Sequence, residues 1–322
     1  MKNSGKLTLS MLGELHARRV LHNDFADGEA LLDELFEISP EIKQAYIATI
    51  FAEPGLGKST LFKDLIVRNP PNILKDDEGK RKNTPVLVVS AEEGCTVRKL
   101  VDTMCAALGE PTTTSNTASY LKQKALTLLK EHGTVLLGID EAQEFLNNST
   151  RSGVKSVISF VRSLAESTQI PLVLMGTPSY ENFVSASSDV NRRVKRSHTL
   201  NLMGSPIDDT TTFYWTVVGM MENFTQVTGR SLAPELGMLE FSQRLFVITG
   251  GRIGCIYDFL AQYITDHAKS GSTDRHIGLA DCLAVMKNYR AAFNLVKPAK
   301  LAFKLTDKQL KAVMEQHESM EA

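Results

Sequence analysis

Residues 45–60 read AYIATIFAEPGLGKST, and the rest of the chain is best read outward from them. Ala45–Phe51 is an apolar run of the length and composition of a strand buried on both faces. The chain then turns glycine-rich. Ser59–Val67 has helical periodicity, and Asn69-Pro70-Pro71 ends it. A strand, a glycine-rich turn and a helix form the context in which the pattern G-x-x-x-x-G-K-[ST] holds a nucleotide's phosphates. The stretch from Ala52 to Ser59 meets that pattern except at its first position, where Ala52 stands for glycine. Gly55 and Gly57 let the backbone turn so that N–H groups converge on an anion. Lys58 brings a point charge to the β- and γ-phosphates, and the Ser59 hydroxyl is a ligand for Mg2+. The helix that starts there presents its positive end. Glu53, Pro54, Gly55, Leu56, Gly57, Lys58, Ser59 and Thr60 are thus the candidate phosphate-binding residues, with ATP and Mg2+ as ligands.

Further apolar runs follow at Pro85–Ser90, Thr134–Ile139 and Pro171–Met175. Helical segments at Thr96–Leu108, Ser119–His132 and Val154–Ser167 separate them, and KDDEGKRKNT (75–84) reads as a loop. Continuous apolar strands alternating with helices predict an α/β fold with a parallel sheet. After about residue 205 the strand signal fades. Helical periodicity over 210–228, 234–249, 254–269 and 278–293 predicts a small helical domain. The expected organisation is an N-terminal helical arm (1–40), an α/β nucleotide-binding domain (41–205), a helical lid (206–296) and a charged C-terminal tail (297–322).

Four other places carry chemistry. The run TVLLGI ends in Asp140-Glu141, and an acidic residue at the carboxyl end of a core strand is where P-loop enzymes hold magnesium. Asp140 takes that role, and Glu141 polarises the attacking water as general base. A helix N-cap pair is the plainer alternative, and the P-loop upstream favours the catalytic one. In PLVLMGTP (171–178), Thr177 sits at a strand tip. It either orients the water and senses the γ-phosphate or closes an ordinary turn. Asn191–Arg196 carries four cations after a polar turn at Ser185–Asp189. These form an arginine finger for a neighbouring subunit, with Arg193 first choice and Arg196 second, or a nucleic-acid contact, or a solvated charge run. Gly250-Gly251-Arg252-Ile253-Gly254 opens a helix. Arg252 either reaches the nucleotide from the lid or sits exposed on a flexible turn.

A weaker signal concerns nucleic acid. Thr96, Arg98 and Lys99 begin one helix, and the hydroxyl-rich Thr112–Thr117 precedes another. Cations and hydroxyls at helix starts suit phosphate contacts that read no bases, while simple capping by Thr96 is the bland alternative. The formal net charge is −1, so any basic surface must be local. The four cysteines lie far apart without a CxxC pair, which argues for reduced thiols rather than disulfides or zinc. No run of eighteen apolar residues is present, and the N-terminus lacks a signal peptide's apolar stretch. No membrane association and a cytoplasmic location are expected.

The order of these features resembles the AAA+ ATPases. Within them, GIDEAQEF, PLVLMGTP, the arginine cluster and TGGRIGCIYDFL (249–260) look like the TnsC/TniB branch of transposition regulators, functionally related to MuB and found in Tn7-like, in some systems CRISPR-associated, transposons. The resemblance covers roughly residues 40–270. It implies an ATPase that assembles as a homo-oligomeric ring or filament on double-stranded DNA, contacts the backbone without sequence preference, and links a target-selector protein to a transposase. By the same resemblance Thr177 is a sensor, Arg193 acts across a subunit interface, and Arg98, Lys99 and Thr117 lie near the DNA. An AAA+ regulatory switch or helicase-loader-like ATPase acting on protein partners is the alternative.

Overall fold

The computed structural model describes residues 2–41, 44–76, 79–113, 117–147, 151–186, 191–270, 275–289, 295 and 299–321. The chain forms two compact units, Asn23–Asn201 and Met1–His22 with Leu202–Ala322.

The first unit is built on a five-stranded sheet of β1 (Ile47–Ala52), β4 (Val86–Ser90), β5 (Leu136–Asp140), β6 (Leu172–Gly176) and β7 (Val194–Leu200). The order is β4-β5-β6-β1-β7, and every pairing is parallel. Side chains alternate between the faces with the strand period of two. Along β1, Ala48, Ile50 and Ala52 face helices α2 (Asn23–Ile38) and α3 (Lys58–Arg68), together with Leu32, Leu35, Leu61 and Phe62. Ile47 and Phe51 face the opposite core, which holds Leu100, Met104, Leu129 and Val161 from α4 (Val97–Ala107), α5 (Ala118–Glu131) and α6 (Arg151–Thr168). The helix α7 (Pro178–Ala186) follows β6. Burial on both faces is why these strands read as unbroken apolar runs. At Gly138 the sheet is notched for α3: a Cβ there would lie 2.7 Å from the Phe62 ring.

Three local expectations fail. Residues 75–84 are not a loop, because Asn72–Asp76 (β2) and Gly79–Asn83 (β3) pair as an antiparallel hairpin. Its side chains at 72–75 and 80–82 are exposed, so no apolar alternation marks it. The arginine cluster runs into β7, a fifth strand missing from the sequence reading. As an edge strand it exposes Lys195, Arg196 and Ser197 and buries only Leu200, which hides the strand signal behind charge. The helix expected over 278–293 spans only Leu279–Val285, and 290–293 lie outside the described residues.

The second unit packs α1 (Lys2–Ala17), α8 (Thr212–Thr228), α9 (Met238–Thr249), α10 (Ile253–Ser270), α11 (Leu279–Val285) and α12 (Asp307–Glu321), with a short parallel pair, β8 (Ser231–Leu232) and β9 (His276–Ile277). Phe213, Phe224, Phe241, Phe246 and Phe259 fill its core, joined by Leu15 from α1 and by Leu310 and Met314 from α12. The N-terminal stretch is therefore divided, α1 belonging to the helical unit and α2 to the sheet. Arg244, almost fully buried, pairs with Glu240 and donates to the carbonyls of Ala302 (2.6 Å) and Leu305 (3.0 Å), which anchors the segment leading into α12. No helix among the described residues is long and apolar enough to cross a membrane.

The glycine pair between α9 and α10 is structural punctuation. Gly250 caps α9 in the left-handed conformation, its N–H donating to Phe246 O at 2.8 Å. Gly251 has φ +76°, and a Cβ on it would sit 2.3 Å from the Met203 carbonyl oxygen. Gly251→Ala should cost about 3 kcal/mol, the sum of left-handed strain and overpacking against backbone. Gly229→Ala, at φ +71° with open space around it, should cost about 1 kcal/mol. Denaturant midpoints of the two variants should differ accordingly.

Candidate functional site

The site forms where β1 and β5 end. Ala52 closes β1 in register with Leu200 and has no left-handed backbone, so alanine serves where the pattern has glycine. Gly55 (φ 84°) and Gly57 (φ 94°) are both left-handed. A Cβ on Gly57 would lie 3.2 Å from the Phe25 ring of α2, so the loop is shaped by backbone freedom and held from outside by an aromatic ring. The Leu56 side chain is buried, Pro54 and Gly55 are exposed, and the Thr60 N–H donates to Gly57 O at 2.9 Å in the first turn of α3.

Lys58 is the first residue of α3 and is only 7% exposed. Its Nζ donates to the Ala52 carbonyl at 2.7 Å. Burial pulls its pKa below the ordinary lysine value, and the carboxylates of Glu141, Asp140 and Glu53 act against that shift. Next to it, Ser59 Oγ donates to Asp140 Oδ2 at 2.5 Å. Asp140 is itself buried, and its Oδ1 accepts the Glu141 N–H at 2.8 Å. The Ser59 hydroxyl and the Asp140 carboxylate are adjacent hard oxygen donors. That is the protein contribution Mg2+ requires when phosphates and water complete its shell.

Glu141 has φ 56° and ψ 37°, a left-handed conformation unusual for a side chain of this size. Its carboxylate receives a hydrogen bond from Gln143 Nε2, and Gln143 Oε1 accepts the Thr177 N–H at 3.2 Å. The Thr177 hydroxyl lies 2.7 Å from Ser179 Oγ. Strand β6, which Thr177 directly follows, pairs with both β1 and β5, so the P-loop, the Asp-Glu pair and the Thr177 tip share one edge of the sheet. Gln143 lies within GIDEAQEF, but nothing in the sequence marks it as part of the site. Its two partners become neighbours only when β6 is laid beside β5.

The remaining candidates sit elsewhere. Arg193 pairs with Glu166 (2.8 Å) and Arg196 with Glu34 (2.5 Å), both within the chain. Arg98 donates to Thr113 O at 2.8 Å and lies 3.6 Å from Asp102, and Lys99 Nζ donates to Glu93 O at 3.0 Å. Thr96 caps α4 and Thr117 caps α5, so the capping geometry at both helix starts is present. Residues 114–116 of the hydroxyl-rich stretch and 187–190 of the turn before the arginines lie outside the described residues. Arg252, in the helical unit, donates to Gly250 O at 3.2 Å.

A family model described as Bacterial TniB protein matches residues 14–201. No curated protein matches this sequence. Among solved structures, the ORC2 protein of Aeropyrum pernix in ADPNP-ADP complexes superposes with a TM-score of 0.55 at 11% identity, covering 91% of this chain and 67% of that one. Cdc6p from Pyrobaculum aerophilum gives 0.56 at 13% identity, covering 92% and 80%. The Aeropyrum pernix ORC1 protein in complex with DNA gives 0.56 at 12% identity, covering 84% and 66%. At these identities the likeness is one of fold: a parallel P-loop sheet flanked by helices and followed by a helical unit, the AAA+ architecture.

Proposed function

The chain belongs to the bacterial TniB family, and on that premise we propose that it is a DNA-associated AAA+ ATPase that assembles on duplex DNA and recruits or activates a transposase at a chosen target. The observation that carries the ATPase half is the convergence of Lys58, bonded to the Ala52 carbonyl, with the hydrogen-bonded Ser59, Asp140 and Glu141 at the carboxyl edge of the sheet. In this reading the P-loop N–H groups and Lys58 bind the ATP phosphates, and Lys58 exchanges its bond to the Ala52 carbonyl for them. Ser59 and Asp140 would hold Mg2+, which neutralises charge on the β- and γ-phosphates. Glu141 orients the attacking water and accepts its proton. Thr177 senses the γ-phosphate. Residues 206–296 serve as the lid, with Arg252 as its candidate contact to nucleotide, and 297–322 are its charged C-terminal extension.

Arg193 is the proposed finger for the neighbouring subunit's nucleotide, so ATP joins protomers as well as fuelling them. Arg98, Lys99 and Thr117 face the DNA backbone. A net charge of −1 suits an assembly in which a few cations per subunit are multiplied along the polymer. The same charge favours a second reading, a switch that acts on protein partners alone.

Lys58→Ala should raise the dissociation constant for ATP at least a hundredfold in an equilibrium binding assay. Glu141→Gln should bind ATP as tightly as the parent and hydrolyse it at least about a hundredfold more slowly. Parental turnover in Glu141→Gln removes Glu141 as the base. Electron microscopy with duplex DNA and ATP should show rings or filaments, and DNA retention should weaken steeply with salt. Neither assembly nor salt-sensitive retention in any nucleotide state would leave the protein-switch reading in place.

A further inference from the structure

Glu141 and Thr177 directly follow neighbouring strands, β5 and β6, whose pairing stops before their ends. The β5–β6 register runs Leu137↔Leu172, Gly138↔Val173 and Ile139↔Leu174. Beyond it, the amide of Gln143 spans the opening, giving its N–H to the Glu141 carboxylate and taking the Thr177 N–H on its oxygen. The chemistry fixes which way the amide faces. A carboxylate only accepts and a backbone N–H only donates, so the flipped amide would lose both bonds.

The surroundings hold this bridge in place. Gln143 lies on the short turn Ala142–Phe145, whose end residues are fully buried. Phe145 packs edge-on against Tyr180 at 6.3 Å. Gly176 leaves room for the amide, since a Cβ there would lie 3.2 Å from Gln143 Oε1 and 3.1 Å from the Tyr180 ring.

We propose that Gln143 is a positioning residue for hydrolysis: it ties the Glu141 carboxylate to the tip of β6, so that the placement of the base follows the contact Thr177 makes with phosphate. The proposal rests on the ATPase reading above. One carboxylate oxygen, Oε2, is engaged by the amide, and the other is left to take the proton of the attacking water. A movement of the β6 tip pulls on the amide through the Thr177 N–H and thereby turns the carboxylate.

The test compares Gln143→Leu, Gln143→Asn and Gln143→Glu in the full-length protein with duplex DNA. In Gln143→Leu, kcat for ATP should fall tenfold to a hundredfold, while the dissociation constant for ATP stays within twofold of the parent. Gln143→Asn keeps the amide but shortens its reach and should lose comparably. Gln143→Glu keeps the length but sets an acceptor against the carboxylate, and should lose at least as much. A group that merely fills space would be replaced by leucine without a change in kcat. Parental turnover in Gln143→Leu overturns the proposal. Independently of turnover, hydrogen exchange at the Thr177 amide in the nucleotide-free protein should quicken in Gln143→Leu, and unchanged exchange there also overturns it. If the parent hydrolyses no ATP, the ATPase reading fails on its own account, and the exchange measurement still decides whether Gln143 holds the β6 tip.

Discussion

A buried ammonium governs the architecture of the first unit. Lys58 is nearly closed off from water, and an isolated charge there would cost several kcal/mol. It is tolerated because β1 ends by offering the Ala52 carbonyl and β5 ends in Asp140-Glu141. That convergence requires the strand order. β1 and β5 are not neighbours, and β6 lies between them in parallel with both. The apolar faces of all three strands support a charge cluster that none of them could hold alone.

Pairs farther from this cluster are weaker. Arg193–Glu166 and Arg196–Glu34 lie at the surface, with Arg196 half exposed. Solvent screens the exposed Arg196–Glu34 pair, whereas Arg193 is mostly covered and holds Glu166 through both Nε and Nη2. A role for Arg193 toward a neighbour would require it to give up this pair.

What the sequence reveals follows burial. Strands covered on both faces, such as Ile47–Ala52 and Leu136–Asp140, show as apolar runs, and the P-loop shows because its residues are contiguous. Val194–Leu200 does not show, because an edge strand half in solvent has the composition of a charged loop. The hairpin at 72–83 is hidden in the same way, by exposure of both its faces. The arm at 1–40 is legible as helical but not as to which core each helix joins, and α1 and α2 go to different units. Gln143 escapes because its importance depends on Thr177, a residue brought beside it only by the pairing of β5 with β6. The Gly250-Gly251 pair is legible as a turn, while the close approach of Met203 that demands Gly251 is a matter of tertiary packing.

The division of the N-terminal stretch bears on the order in which the protein is made. Leu15 belongs to a core whose other members begin at Met203, and the whole of 23–201 is synthesised in between. The α/β unit is contiguous and can fold as soon as it emerges, whereas α1 must wait for partners that arrive later. During that interval its apolar side chains lack their native cover. Helix α1 thus leaves synthesis ahead of the partners that cover Leu15, by the length of the α/β unit.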